Sequence, residues 1–191
     1  MTFSTSIMMH PSRVEYKDYL LSKLGEVPIA MDRGKGLWDT ARRAWLMFDP
    51  TKDFHLVIQD DAIIGKDFYE RAEKEIKEHP GSAFSFYFGN RKRFIKIAEK
   101  AEQQGGISMG WISWGVAICL PTQSIIEMID YCEKLPASYK KHDDTMIAKY
   151  LASIKMPVWY PMPSLVDHRT GESLVSSELE GGRKAFKFIG E

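Results

Sequence analysis

Asp60 and Asp61 follow the apolar run Leu56-Val57-Ile58 after Gln59, and a second acidic pair, Asp143 and Asp144, follows His142. Adjacent carboxylates are costly to bury unless a cation offsets their charge. Hard oxygen donors of this kind suit Mg²⁺ or Mn²⁺, which keep several waters and share their remaining positions with phosphate oxygens. A pair at the end of a buried strand also lies where open α/β sheets bind ligands. On local sequence alone Asp60-Asp61 is equally a solvated turn, with Asp61 capping a helix. For the second pair, Asp143 as N-cap and Asp144 near the positive helix end contribute about 1 kcal/mol together. Arg13, Arg33 and Arg42 are of the type that pairs with phosphate, and each is equally credible as a solvated surface charge.

The elements that must position these residues alternate along the chain. Residues 3–9 read as a strand that stops at His10-Pro11-Ser12-Arg13, where proline and a capping serine open a helix over 15–24. Gly25 ends it, and 27–31 is a second strand ending at Asp32-Arg33. Trp38, Ala41, Trp45 and Phe48 share a helical stripe over 38–48, and 55–58 reads as a fully buried strand. A charged amphipathic helix over 67–79, a strand over 83–88 and a helix over 94–104 follow. An apolar strand over 111–120 is interrupted by Gly115, and helices are expected over 122–134 and 145–153. A last strand over 156–160 leads into an irregular tail, 161–191, expected to close the site. Strands alternating with helices predict an α/β fold with a mostly parallel central sheet and helices on both faces.

The 191 residues are enough for one domain with a sizeable core. Lys and Arg total 26, as do Asp and Glu, so no net field attracts nucleic acid or an anionic membrane over long distances. Cys119 and Cys132 have neither a disulfide framework nor a metal-binding spacing and read as reduced core residues. With no signal-like segment and no apolar run of spanning length, the expectation is a cytoplasmic protein, or one in the host cytoplasm if phage-encoded.

The stretch Leu-Val-Ile-Gln-Asp-Asp-Ala-Ile-Ile, ending at Ile64, resembles the strand and acidic pair of GT-A glycosyltransferases, the nucleotide-diphospho-sugar transferase superfamily, and in size a small bacterial or phage-type member. Further landmarks follow in order. The first strand ends at His10-Pro11-Ser12-Arg13 and the second at Asp32-Arg33, where such enzymes meet the nucleotide. His142-Asp143-Asp144 begins a helix after a Trp/Gly-rich segment, similar to the acidic pair that supplies the base in inverting members. Pro163-Ser-Leu-Val-Asp-His168 resembles the stretch that returns a histidine to the metal. The likeness spans roughly residues 6–177, although a strict Asp-X-Asp is lacking.

The resemblance implies a GT-A-like, Rossmann-type three-layer sandwich. It makes Asp61 and His168 ligands of Mn²⁺ or Mg²⁺, with Asp60 near the ribose or the metal waters, and Asp144 or Asp143 the catalytic base. His10, Ser12, Arg13, Asp32 and Arg33 would surround the nucleotide, with Arg42 a further candidate by its charge alone. The implied reaction moves a sugar, with inversion, from a nucleotide-diphosphate donor, expected to be UDP-linked, to an acceptor hydroxyl. The acceptor would be a saccharide, a lipid-linked glycan or a hydroxymethylated DNA base. Trp111 and Trp114 then read as stacking faces for a sugar ring or as core. Arg91-Lys92-Arg93 reads as a contact for phosphate or an anionic acceptor, or as a solvated loop. Two other classes fit the same residues: a non-catalytic nucleotide-binding module, and a metal-dependent phosphoryl transferase or nuclease using Asp60, Asp61 and Asp144.

Overall fold

A computed structural model describes residues 3–169 and 184–190. A seven-stranded sheet has the order β2-β1-β3-β7-β5-β8-β6. Its strands are β1 (Phe3–Met9), β2 (Ile29–Met31), β3 (Phe54–Gln59), β5 (Ala83–Ser85), β6 (Gly106–Met109), β7 (Ala117–Pro121) and β8 (Val158–Pro161). β1 is parallel to both β2 and β3, and β5 is parallel to β8. β7 runs antiparallel to β3 and β5, and β6 antiparallel to β8. Five of the seven strands therefore point the same way. A separate two-stranded sheet pairs β4 (Ala62–Ile64) with β9 (Val166–His168).

The alternation of side chains along β1 explains why helices cover both faces. Phe3 and Thr5 point to one face, where Tyr69 of α3 (Phe68–Glu78) meets the Phe3 ring at 5.5 Å and the Thr5 hydroxyl at 3.4 Å. Ser6 points to the other and donates to the Ala44 carbonyl of α2 (Leu37–Trp45) at 2.9 Å. Ser4 shares that face, bonding His55 on the neighbouring strand. The expected three-layer α/β architecture is thus present. α1 (Lys17–Leu24) ends at Gly25, whose φ of 77° lets its N–H turn back to the Leu21 carbonyl at 2.9 Å. α4 (Ile95–Gln104), α5 (Ile125–Glu133) and α6 (Asp143–Ser153) complete the set of α-helices among the described residues. β3 is buried along nearly its whole length, as a central strand covered on both faces must be.

Several elements depart from the sequence expectation. The helix expected from residue 15 begins as a 3-10 turn, Pro11–Tyr16, with non-helical geometry at Arg13, and becomes α-helical only at Lys17. The expected strand over 111–120 is a strand only from Ala117; residues 111–116 form an irregular loop, and β6 lies before them. The tail over 161–191 is not irregular throughout. Pro161 closes β8, β9 pairs with β4, and Ser164 and Ala185 make isolated bridges to Phe188 and Gly89. β4 and β9 form by pairing with each other across the chain, which a local sequence pattern does not report. Both cysteines are free and buried. Among the described residues no helix is long and apolar enough to cross a membrane.

Candidate active site

The carboxyl ends of β1, β2 and β3 and the loops flanking β7 and β5 open on one cleft of about 870 Å³. That lies within the roughly 300–1,000 Å³ range of small-molecule sites. His10, Arg13, Asp32, Asp60, Asp61, Asp143, Asp144 and His168 all line it. β1, β2 and β3 bring their carboxyl ends to this cleft, while His168 arrives on β9 of the separate two-stranded sheet and Asp143 and Asp144 at the start of α6.

His168 reaches Asp61 through the β4–β9 pairing. Asp60 and Asp61 form the turn between β3 and β4, and the register sets Ala62 opposite His168. The Arg169 N–H then donates to the Asp61 carbonyl at 2.8 Å. As a result His168 Nε2 lies 3.1 Å from Asp61 Oδ2, with both side chains almost fully buried. The other ring nitrogen, Nδ1, contacts the Arg169 carbonyl at 2.5 Å. A carbonyl only accepts, so Nδ1 must carry a proton. Nε2 therefore faces a carboxylate oxygen with a lone pair unless it holds a second proton or both atoms share a cation. Asp61 Oδ1 is buried with no hydrogen-bond partner. An orphaned carboxylate oxygen and an imidazole oriented by a backbone carbonyl form a donor set that fits Mn²⁺ or Mg²⁺.

Arg13 supplies the positive charge in this structure. Its Nη1 donates to Asp60 Oδ1 at 2.9 Å and makes a very short contact with Asp61 Oδ2. The backbone N–H of His10 adds a 2.6 Å bond to Asp60 Oδ2. The two carboxylates respond differently. Burial pushes Asp60 above its usual range, and His10 and Arg13 only partly offset it. For Asp61 burial acts upward as well, but the contacts with His168 and Arg13 prevail and hold it below the usual range.

Opposite them, α6 begins at Asp143. His142 precedes the helix without a side-chain cap, so Asp143 is not the N-cap; Asp144 Oδ1 instead accepts the Thr145 N–H at 2.6 Å. Asp143 is buried, and desolvation, reinforced by the charge of Asp144, pushes its carboxyl up to about 7. Gly115 makes room beside it: a Cβ there would fall 2.9 Å from Gln59 Nε2 and 3.5 Å from Asp143 Oδ1.

Other expected nucleotide contacts lie elsewhere. Arg33 is mostly exposed and forks onto Asp39 at 2.9 and 2.8 Å, and Arg42 pairs with Glu133 at 3.4 Å. Neither lines the cleft, because each finds a carboxylate near its own helix. Ser12 is exposed and bonds His10 Nδ1 rather than lining the cleft. Arg13, expected at the nucleotide, grips the acidic pair instead. Trp114 is core, packed against Tyr87, Phe88 and Phe94, whereas Trp111 is 45% exposed in the cleft. Gln59, Tyr87 and Lys141 line the cleft without having been singled out from the sequence. Gln59 and Lys141 adjoin or nearly adjoin the acidic pairs, which was the available signal.

No protein-family model matches the chain, and neither does any curated protein. Among solved structures, the chain is similar to a protein assigned as a glucose-1-phosphate thymidylyltransferase from Bacillus anthracis, in complex with sucrose. The identity is 13% and the TM-score 0.48, over 86% of this chain and 89% of that one. It is also similar to a mutant Drosophila β-1,4-galactosyltransferase 7 in complex with manganese, UDP-Gal and xylobiose. Here the identity is 8% and the TM-score 0.49, over 88% of this chain and 71% of that one.

Proposed function

We propose that the protein is a metal-dependent glycosyltransferase that moves a sugar from a nucleotide-diphosphate donor, a UDP-sugar, to an acceptor hydroxyl with inversion. The observation behind this reading is the pairing of Asp61 Oδ2 with His168 Nε2 at 3.1 Å, in one cleft with the buried Asp143. Asp61 and His168 would hold Mn²⁺ or Mg²⁺, which when bound supplies Lewis-acid charge to the departing diphosphate. His10 and Asp32, at the ends of β1 and β2, line the part of the cleft assigned to the nucleoside.

On the other side Asp143 is the base. It takes the proton of the acceptor hydroxyl, whose oxygen attacks the anomeric carbon as the bond to the diphosphate oxygen breaks. The nucleoside diphosphate leaves with that electron pair. A carboxyl lifted toward neutrality is a better proton acceptor than an ordinary one. Asp144, engaged at the helix start, orients the segment. The gap left by Gly115 between Gln59 and Asp143 keeps the space over the base open.

The test is release of UDP from a panel of UDP-sugars in Mn²⁺, with wild type and Asp143→Asn compared. Sugar-dependent release that falls about 10²–10⁴-fold in the variant is expected. No release from any donor, together with no thermal shift by UDP and Mn²⁺, overturns the assignment.

A further inference from the structure

Resting on the reading of the cleft as a sugar-transfer site, we infer that its acceptor is an anionic carbohydrate, bound by Trp111 together with Arg91, Arg93 and Lys141. The cleft divides by the elements that build it. Donor-side residues come from the ends of β1, β2 and β3 and from β9, where Arg13 is already spent on Asp60 and Asp61. Arg91 and Arg93 come from the connection between β5 and α4, Trp111 from the loop before β7, and Lys141 from two residues before Asp143. These four line the same cleft.

Trp111 is built to be exposed. Its indole N–H donates to the Ser113 hydroxyl at 2.9 Å, and the Ser113 N–H donates to the Tyr160 hydroxyl at 3.1 Å. The Tyr160 hydroxyl in turn donates to the Trp111 carbonyl at 3.1 Å, and Tyr160 is fully buried. A large ring fixed by a buried anchor while 45% exposed is an aromatic platform suited to a sugar face.

The three cations are equally uncommitted. Arg91, Arg93 and Lys141 form no ion pair among the described residues, whereas Arg33, Arg42, Arg43 and Lys140 each have one. Arg93 lies over the Phe94 ring at 4.6 Å, which aligns its guanidinium without neutralising it. Planar guanidinium groups beside an aromatic platform match a ring bearing carboxylate or phosphate.

Calorimetric titration of the full chain, saturated with UDP and Mn²⁺, tests this with matched probes. These are cello-oligosaccharides and their glucuronate-bearing and 6-phosphate-bearing counterparts. Anionic probes are expected to bind at least about tenfold tighter than neutral ones, with the preference shrinking in high salt. Arg91→Gln combined with Arg93→Gln, and separately Lys141→Gln, should erase the preference and leave neutral-probe and UDP affinity unchanged. Trp111→Ala should weaken both probe classes. Equal binding of neutral and anionic probes, no binding of either, or loss of UDP affinity in the charge variants overturns the inference. Absence of UDP and Mn²⁺ binding in the wild type would instead strike the sugar-transfer reading beneath it.

Discussion

Arg13 contacts Asp61 Oδ2, the same oxygen that faces His168 Nε2, and that single contact has consequences that can be measured. Two carboxylates at β3's end are balanced by one guanidinium, so a metal binding Asp61 Oδ2 must displace it. Arg13→Gln is expected to lower the melting temperature without metal, since breaking a buried ion pair leaves a charge uncompensated. The same variant should bind Mn²⁺ more tightly than wild type, and added Mn²⁺ should restore its melting temperature. Asp143 behaves in the opposite sense. Its folded carboxyl holds a proton up to about 7, whereas the unfolded one releases it near the ordinary Asp value of roughly 4. The stability it contributes is complete below about 4 and is lost as pH rises through about 7. Asp143→Asn should therefore melt higher than wild type at pH 8 while losing turnover, and the difference should close at low pH. In the wild type, kcat should rise with pH through the same region as Asp143 loses its proton.

At the scale of elements, His55 links β3 to β1 and α2. Its Nδ1 bonds Ser4 Oγ at 2.8 Å, and its Nε2 lies 3.1 Å from both Ser6 Oγ and the Ala44 carbonyl. Burial pushes it down to about 4, against the pull of the Ala44 carbonyl. Between its ordinary value near 6.5 and about 4 the unfolded chain binds a proton that the fold refuses. Stability there should fall with a slope approaching about 1.4 kcal/mol per pH unit. His55→Gln, measured by urea unfolding across pH 4–7, should flatten that slope while being less stable at pH 7. The helices and most strands of the seven-stranded sheet were legible because apolar spacing reports burial directly: Trp38, Ala41 and Trp45 all lie buried on α2. β4, β6 and β9 were not, since β4 and β9 form by pairing with each other and β6 by pairing with β8, all partners distant in the chain. The site was legible to the same degree. Asp60-Asp61 and Asp143-Asp144 stand out by residue type and His168 only through the family resemblance, while Arg13 reads as a phosphate ligand until the turn after β1 places it on the acidic pair. Whether Arg33 and Arg42 find phosphate or a carboxylate depends on helix packing, which the sequence does not display.

For the whole molecule, the fold gathers Asp60, Asp61, His168, Asp143 and Asp144 into one cleft, the proposed metal ligands and the proposed base among them. Ligands that bind only the folded state should then report on the entire fold. At about 100 times their dissociation constant, UDP and Mn²⁺ together should add roughly 2.7 kcal/mol. For a chain of this size that corresponds to a melting shift of about 5–10 °C, exceeding the shift from either alone. In the proposed site Asp61 and His168 share one cation that receives the donor diphosphate. Titration of Mn²⁺ followed by electron paramagnetic resonance, with and without UDP, tests it most directly. Wild type should bind one Mn²⁺ more tightly with UDP present. His168→Ala should weaken that binding by more than the roughly 10–100-fold cost of losing an outer-shell partner. Equal Mn²⁺ binding by His168→Ala and wild type, or no Mn²⁺ bound by wild type in the presence of UDP, would contradict it.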